Sequence, residues 1–173
     1  MTYTIESFAA ECRKILKTDP GPSGRETVRD LLEKALADKT FVAAHLGPDN
    51  TESKTTLYED PDLGFCILAH VLSSMDVGKP HDHGASWAIY GQAAGCTEMT
   101  EWRRVGSKDV KGADIVEPGK TYPLNPGMVT LYNEGTVHST KRDGETRLIR
   151  ITGCDLDKIP RGRYRAVHEA VAA

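Results

Sequence analysis

Apolar residues recur with a helical period in the first part of the chain and with a strand period after about residue 50. Residues three and four apart share one face of a helix, so the first pattern predicts amphipathic helices. The segment PGPSG at 20–24 ends the first helix, and Ser23 and Glu26 predict a capping box for the second. A third, short helix is predicted over 39–48. The two long apolar stripes consist of Ile5, Phe8, Ala9, Cys12, Ile15 and Leu16, and of Val28, Leu31, Leu32, Ala35 and Leu36.

The remainder of the chain has the pattern of short strands separated by Pro, Gly, Asp and Asn clusters. No helical pattern lies between these strands, which favours an antiparallel sandwich or barrel over a parallel sheet. The prediction is a mainly β protein, a single domain over 1–173 with a helical N-terminal segment at 1–48 packed on a β-barrel at 50–160. The eight predicted strand segments lie at 55–60, 64–72, 86–95, 96–105, 121–124, 128–133, 137–142 and 146–153.

Composition excludes several classes of protein. With 39% hydrophobic and 27% charged residues, the chain is expected to be globular. A net charge of -3 with scattered basic residues gives no nucleic-acid footprint, and no apolar run is long enough to span a membrane. The four cysteines are far apart with no CxxC spacing, which favours free thiols and a cytoplasmic location.

Three of the six histidines have the spacing of a metal site. His81 and His83 are two residues apart, so on a strand their imidazoles would point to the same side. Two neutral imidazoles form half of a metal site, and His138 on a later predicted strand supplies a third ligand. His45 and His168 lie in helical or terminal segments, and His70 lies in an apolar strand. A hydrogen-bonded core or rim role is the more common outcome for such a histidine.

The segment around His81 and His83 resembles the first motif of the cupin superfamily. In that motif HxH is followed by a glutamate and then by a glycine that closes a turn; Ala88 and Gly95 stand at those two positions. The absence of the glutamate is what points to a three-histidine site.

The second cupin motif is also matched in register. Gly127, Gly135 and His138 keep its spacing, while Asn133 replaces a proline and Arg142 replaces an asparagine. Two motifs in the same order make a chance match much less probable than one. The resemblance covers about residues 55–155 and implies a cupin double-stranded β-helix, an antiparallel jelly-roll barrel.

Within the cupins the chain resembles the thiol dioxygenases, the family of cysteine dioxygenase, because HDH is preceded by GFCILAHVLSSMDVGKP and the barrel by helices. The resemblance implies Fe(II) as cofactor, with O2 and a small acidic thiol as substrates and a sulfinate as product. Three imidazoles also suit Zn, Ni or Mn. The chain is nevertheless not a cysteine dioxygenase, because Leu148, Arg150 and Thr152 replace that enzyme's serine, histidine and tyrosine relay. Ala88 likewise stands where that enzyme often has a cysteine.

Strand alternation predicts the remaining pocket residues. If His81 and His83 point inward, Tyr90 and Gln92 should also point inward, with Tyr90 as the candidate acid. Arg150 would either be solvated or point into the barrel and bind a substrate carboxylate with its planar fork. Tyr132 is an alternative substrate-binding residue next to the His138 turn.

Other functions fit the same residues. A non-catalytic or sensory cupin would bind a metal or small molecule without chemistry, and a cupin isomerase or lyase would not consume oxygen. The N-terminal helices lack a basic recognition face, which favours the enzyme over a DNA-binding regulator. The sequence leaves the oligomeric state and the identity of the substrate open.

Overall fold

The helical start of the chain follows the predicted stripes in a computed structural model, which describes residues 3–106 and 108–171. The helices are α1 (Ile5–Thr18), α2 (Pro22–Ala37) and α3 (Lys39–Leu46). The capping box predicted from Ser23 and Glu26 is wrong, since α2 begins at Pro22 without a side-chain cap. Proline suits the first helical position because it lacks the N–H that a cap would satisfy.

Each of the eight predicted strand segments contains a strand, and two short strands were not predicted. One is β3 (Asp76–Val77), and the other is β10 (Tyr164–Ala166), which pairs in parallel with the strand Asp114–Leu124. The strand predicted at 121–124 begins earlier, because charged and proline residues hide its first half from the alternation pattern. The strands are β1 (Thr55–Glu59), β2 (Cys66–Leu72), β3 (Asp76–Val77), β4 (Ala88–Ala94), β5 (Thr97–Arg104), β6 (Asp114–Leu124), β7 (Val129–Tyr132), β8 (Val137–Arg142), β9 (Thr146–Thr152) and β10 (Tyr164–Ala166). A 3₁₀ turn (Leu156–Lys158) and a short helix α4 (Val167–Val171) complete the described chain.

The strands form two five-stranded sheets that face each other. One has the order β1-β2-β9-β4-β7, which we call the helix-covered sheet, and the other has the order β10-β6-β5-β8-β3. The consecutive strands β1 and β2 share one sheet and β5 and β6 share the other, while every other pair of consecutive strands is divided between the two sheets. All pairs except β10–β6 are antiparallel. This order defines a double-stranded β-helix, so the predicted cupin fold with N-terminal helices packed on it is confirmed. That the whole chain forms one domain stays a prediction.

Two apolar clusters hold the layers together. The larger lies between α1–α3 and the outer face of the helix-covered sheet, where Ile89, Ile149 and Ile151 are fully buried. Each such side chain stabilises the fold by about 1.5–3 kcal/mol. Gly91 allows this contact, because a Cβ there would lie 2.7 Å from the side chains of Leu32 and Leu36. The smaller cluster lies inside the barrel and consists of Ala88, Tyr90, Met99, Leu124, Tyr132 and Leu148.

Candidate metal centre and its cavity

Three histidines converge inside the barrel. His81, His83 and His138 each offer a ring nitrogen, and these atoms all lie within 4.8 Å of one another. The backbone N–H of His81 donates to the His138 carbonyl, and that of His138 donates to the His81 carbonyl, both at 2.9 Å. This bridge holds the HDH segment against β8, the strand that contains the third histidine. Imidazole nitrogens bind divalent metals at about 2.0–2.2 Å, and a group this compact can close on one ion.

The HDH segment forms no strand of its own, so the strand on which the two imidazoles would share one side is absent there. Only His81 pairs, as an isolated bridge, and the chain then enters a turn at Gly84 and Ala85. His81 and His83 nevertheless both point inward, because the bridge between His81 and His138 holds the backbone extended at this point. Asp82, between them, points to the opposite side and binds the C-terminal segment.

The histidine nitrogens are uncharged and available to a metal. Burial lowers the pKa of His83 to about 2 and that of His138 to about 3, and it also lowers the pKa of His81. His81 Nδ1 lies 2.9 Å from the Lys79 carbonyl, which can only accept, so this nitrogen carries the proton and Nε2 keeps its lone pair. His138 Nε2 is buried without a partner among the described residues. A metal ion would satisfy this atom, so the residues present fit such a group.

Aromatic residues orient two of the ligands. Tyr132 stacks on His138 with ring centroids 4.0 Å apart and planes 9° apart. Its hydroxyl bonds to that of Tyr122 at 2.8 Å, which directs it away from the histidines. The Tyr90 hydroxyl lies 2.9 Å from His83 Nε2. Burial raises the pKa of Tyr90 while the Arg150 guanidinium opposes that rise, so the hydroxyl keeps its proton at neutral pH.

Asp82 ties the HDH segment to the end of the chain. Its carboxylate accepts from the Gly162 N–H at 2.9 Å and from the Tyr164 hydroxyl at 2.7 Å. Burial raises the pKa of Asp82, but these hydrogen bonds outweigh it and the pKa is lowered. Gly84 has φ +59°, and a Cβ there would lie 2.2 Å from the Pro160 carbonyl. The C-terminal segment therefore lies directly against the loop that carries two of the histidines.

A cavity of about 250 Å³ adjoins the histidines. His81 and Tyr90 form its wall towards the candidate metal centre, and Gln92 also lines it as predicted from alternation. The amide of Gln92 is internally bound, to the Ala94 carbonyl at 2.8 Å and to the Thr97 hydroxyl at 3.2 Å. Tyr132 is not among the lining residues, so the structure places it behind His138 rather than against a substrate.

Arg150 lies on the inner face of the helix-covered sheet. It pairs across the sheet with Tyr90 on one side and with Leu68 on the other, and it lines the cavity. Its Nε is buried without a partner, and no ion pair is formed by Arg150 within residues 3–106 and 108–171. The side chain is half-buried, and a guanidinium on a cavity wall that has no ion pair in these ranges can bind an anion.

No carboxylate joins the three histidines among the residues that the structure describes. Ala88, at the position of the absent glutamate, is fully buried in the inner cluster opposite Tyr132. A carboxylate would have lowered the charge of a bound metal and occupied one of its positions. The candidate site therefore offers three neutral ligands with an open side.

Sequence reasoning missed two residues of this region, Arg142, which lines the cavity, and Asp82, which binds the C-terminal segment. His70 is buried and hydrogen-bonded, as expected for a core or rim histidine, and it also lines the cavity. The register of β2 against β9 would have placed His70 on the inner face, but that register is a tertiary property.

Comparison with known proteins yields similarity at the level of structure. No family model matches the chain, and no curated protein matches it. The structure is similar to KdgF from Halomonas sp., with 16% identity, a TM-score of 0.44, and 60% of this chain and 82% of that chain covered. It is also similar to the Cnp3 cupin domain of Schizosaccharomyces pombe, with 14% identity, a TM-score of 0.47, and coverage of 64% and 67%.

A third similar structure is an uncharacterised conserved protein with a double-stranded β-helix domain from Klebsiella pneumoniae. The identity is 13% and the TM-score 0.47, with 71% of this chain and 88% of that chain covered. The strand order of the chain itself defines its fold. It is a cupin fold with a three-histidine candidate metal centre, and within the described residues no helix has the length and hydropathy needed to cross a membrane.

Proposed function

We propose that this protein is an iron(II)-dependent dioxygenase that oxidises a small acidic thiol to a sulfinate. The observation that carries the proposal is the pairing of a carboxylate-free histidine cluster with a cavity lined by Arg150, a half-buried cation that forms no ion pair with the described residues. The overall change is RSH + O2 to RSO2H. Both oxygen atoms are transferred to sulfur, so no further reductant is needed.

His81, His83 and His138 would hold the metal. Three neutral imidazoles leave the charge of a divalent ion uncompensated, which favours an anionic substrate group beside it. Bound ferrous iron would supply the one-electron chemistry through which ground-state oxygen reacts. Zinc, nickel or manganese would fit the same nitrogens, so the dioxygenase proposal depends on iron being the active metal.

Arg150 would bind the carboxylate of the substrate. Its guanidinium can donate two parallel hydrogen bonds to a carboxylate. The volume of about 250 Å³ suits a metabolite of a few carbon atoms rather than a drug-sized ligand. Binding at Arg150 would place the other end of such a molecule towards His81 and Tyr90, which share the cavity wall.

Tyr90 would hold a proton at the edge of the metal centre. Its hydroxyl is protonated at neutral pH, and it lies 2.9 Å from His83 Nε2. From this position it can donate a hydrogen bond to a developing negative charge on an oxygen atom. Gln92 would contribute the shape of the wall, because its amide is already bound to Ala94 and Thr97.

Oxygen uptake tests the proposal. Metal-free protein is loaded with Fe(II) without air and mixed with oxygen and a panel of small mercapto-carboxylates, with the sulfinate quantified by mass spectrometry. We expect one oxygen molecule consumed per sulfinate formed for at least one thiol. Arg150→Met should raise KM for that substrate at least tenfold at unchanged iron content, and Arg150→Lys should rescue little.

Arg103→Met is the matched control, since Arg103 is an exposed arginine on β5. It should leave KM unchanged. Iron binding without oxygen uptake by any thiol acid would contradict the dioxygenase and favour an isomerase, a lyase or a binding protein. Equal kinetics for the wild type and Arg150→Met would remove Arg150 from the substrate site.

A further inference from the structure

His70 is a fourth histidine inside the barrel, and the metal centre does not use it. It is 8% exposed, lies on β2 opposite Leu148 of β9, and lines the same cavity as Arg150. His70 is not part of the group of histidines whose nitrogens can share one ion. A buried polar side chain on a cavity wall needs another explanation.

The hydrogen bonds of His70 determine which nitrogen is free. Nδ1 lies 3.1 Å from the Ser53 carbonyl, and a carbonyl can only accept, so Nδ1 carries the proton. Nε2 is buried and has no partner among the residues that the structure describes. Burial, reinforced by the nearby Arg150 guanidinium, lowers the pKa of His70 to about 4. The ring is therefore neutral, and Nε2 is a hydrogen-bond acceptor without a donor.

The direction of that acceptor follows from the sheet. The two ring nitrogens point to nearly opposite sides of an imidazole, and Nδ1 points towards Ser53, ahead of β1. Nε2 therefore points away from Ser53, and His70 lines the cavity. Arg150 lies two residues from Leu148 on the same inner face, so it is the diagonal neighbour of His70 across the strand pair.

We propose that His70 and Arg150 form one recognition site for a small carboxylate that also carries a hydroxyl group. Arg150 receives the carboxylate, and His70 Nε2 accepts the hydrogen of the protic group. An ammonium group is disfavoured as the donor, because Arg150 and Lys54 both act on His70 with positive charge. The inference rests on the proposed function only in that Arg150 binds the anionic end of the ligand.

The site would distinguish carboxylates by whether they donate a hydrogen bond to His70 Nε2. His70 Nε2 is already buried and unpaired without a ligand, so a carboxylate that lacks a protic group leaves it as it is and gains nothing there. A ligand that supplies the hydrogen gains a hydrogen bond to an atom that has already lost its water. Sites of this kind reject analogues that lack the donor more strongly than apolar pockets reject an extra methylene.

Titration calorimetry on the metal-free protein measures ligand binding at His70 and Arg150 without any oxygen chemistry. The probes are propionate, lactate and 3-hydroxypropionate, and their affinities are compared for the wild type, His70→Phe, His70→Gln and Arg150→Met. We expect at least one hydroxy acid to bind the wild type about tenfold more tightly than propionate. His70→Phe should reduce that preference to within about twofold with propionate binding unchanged, and Arg150→Met should weaken all three probes.

His70→Gln should recover part of the preference, because its side-chain carbonyl is also an acceptor. It also keeps the test decisive if the phenylalanine variant does not fold. Equal binding of the three acids by the wild type, or no binding of any, would overturn the proposal. So would an equal loss for all three probes in His70→Phe, which is the result expected if His70 only orients Arg150. Oxygen uptake is measured separately, so failure of the dioxygenase proposal would not be mistaken for failure of this one.

Discussion

The two faces of the helix-covered sheet carry opposite chemistry on the same strands. On β9 the outward residues Ile149 and Ile151 are fully buried against the helices, while the inward residue Arg150 has a buried nitrogen without a partner. Five buried side-chain N or O atoms lack a partner among the described residues, and three of them belong to His70, His138 and Arg150 inside the barrel. The outer face therefore stabilises the fold, whereas the inner face retains unsatisfied groups that a metal and a ligand can use.

Among the substitutions that test the two faces, removing a metal ligand should have the largest effect, and that effect should be on metal affinity. His138→Ala deletes a fully buried imidazole whose Nε2 is free, so we expect metal affinity to fall by at least about 100-fold. The measurement is competitive titration with a chromophoric chelator. His168→Ala is the control, since His168 is exposed and should leave affinity unchanged. Equal affinity for the wild type and His138→Ala would exclude the three-histidine centre.

Adjacent substitutions on β9 should separate the two faces by stability. Ile149→Ala leaves a cavity under the helices and should lower the free energy of unfolding by about 2–4 kcal/mol, with metal binding retained. Arg150→Met removes a charge without an acidic partner and should change that free energy by less than about 1 kcal/mol, or raise it. Urea unfolding of the metal-free proteins measures both values. A larger loss for Arg150→Met would show that the inner face is structural.

Acidification should lower the free energy of unfolding, because His70 on the inner face of the helix-covered sheet has a lowered pKa. The pKa of folded His70 is lowered to about 4, below its value of about 6.5 in the unfolded chain, so the unfolded state binds the proton first. The stabilisation is complete above about pH 6.5 and is lost as the pH falls towards 4. His70 alone should lower the free energy of unfolding by about 2 kcal/mol between pH 7 and pH 5. Urea unfolding across this range should show a smaller loss in His70→Gln, and an identical loss would contradict the assignment.

The smallest expected effect is on the positioning of the HDH segment. Tyr164→Phe removes the hydrogen bond to Asp82 without changing the ring, so we expect metal affinity to fall about tenfold. Tyr3→Phe is the control, because Tyr3 packs in the helical cluster and is remote from the histidines. Retained stability together with weaker metal binding would show that the C-terminal segment orients the ligands. An unchanged affinity would limit the Asp82 network to a structural role.

Local patterns predicted the elements and one face of the site. Helical and strand periods identified α1–α3 and eight strands, because burial on one face leaves its period in the sequence. The same alternation predicted the inward direction of Tyr90 and Gln92 but left Arg150 open between solvent and the barrel interior. It failed at HDH, since this segment is extended only because His81 pairs with His138. It also failed for the first half of β6, where Pro118 and exposed charges obscure the alternation.

The sequence by itself determined the period of each element, the three histidines and the absence of a carboxylate at Ala88, because these depend on residue type and spacing along the chain. Only the tertiary structure decided which buried polar atoms have no partner. Ser53 occupies Nδ1 of His70 and leaves Nε2 free, and the turn before His138 stacks that ring on Tyr132. Such assignments depend on contacts between strands that are distant in sequence, and strand register sets those contacts.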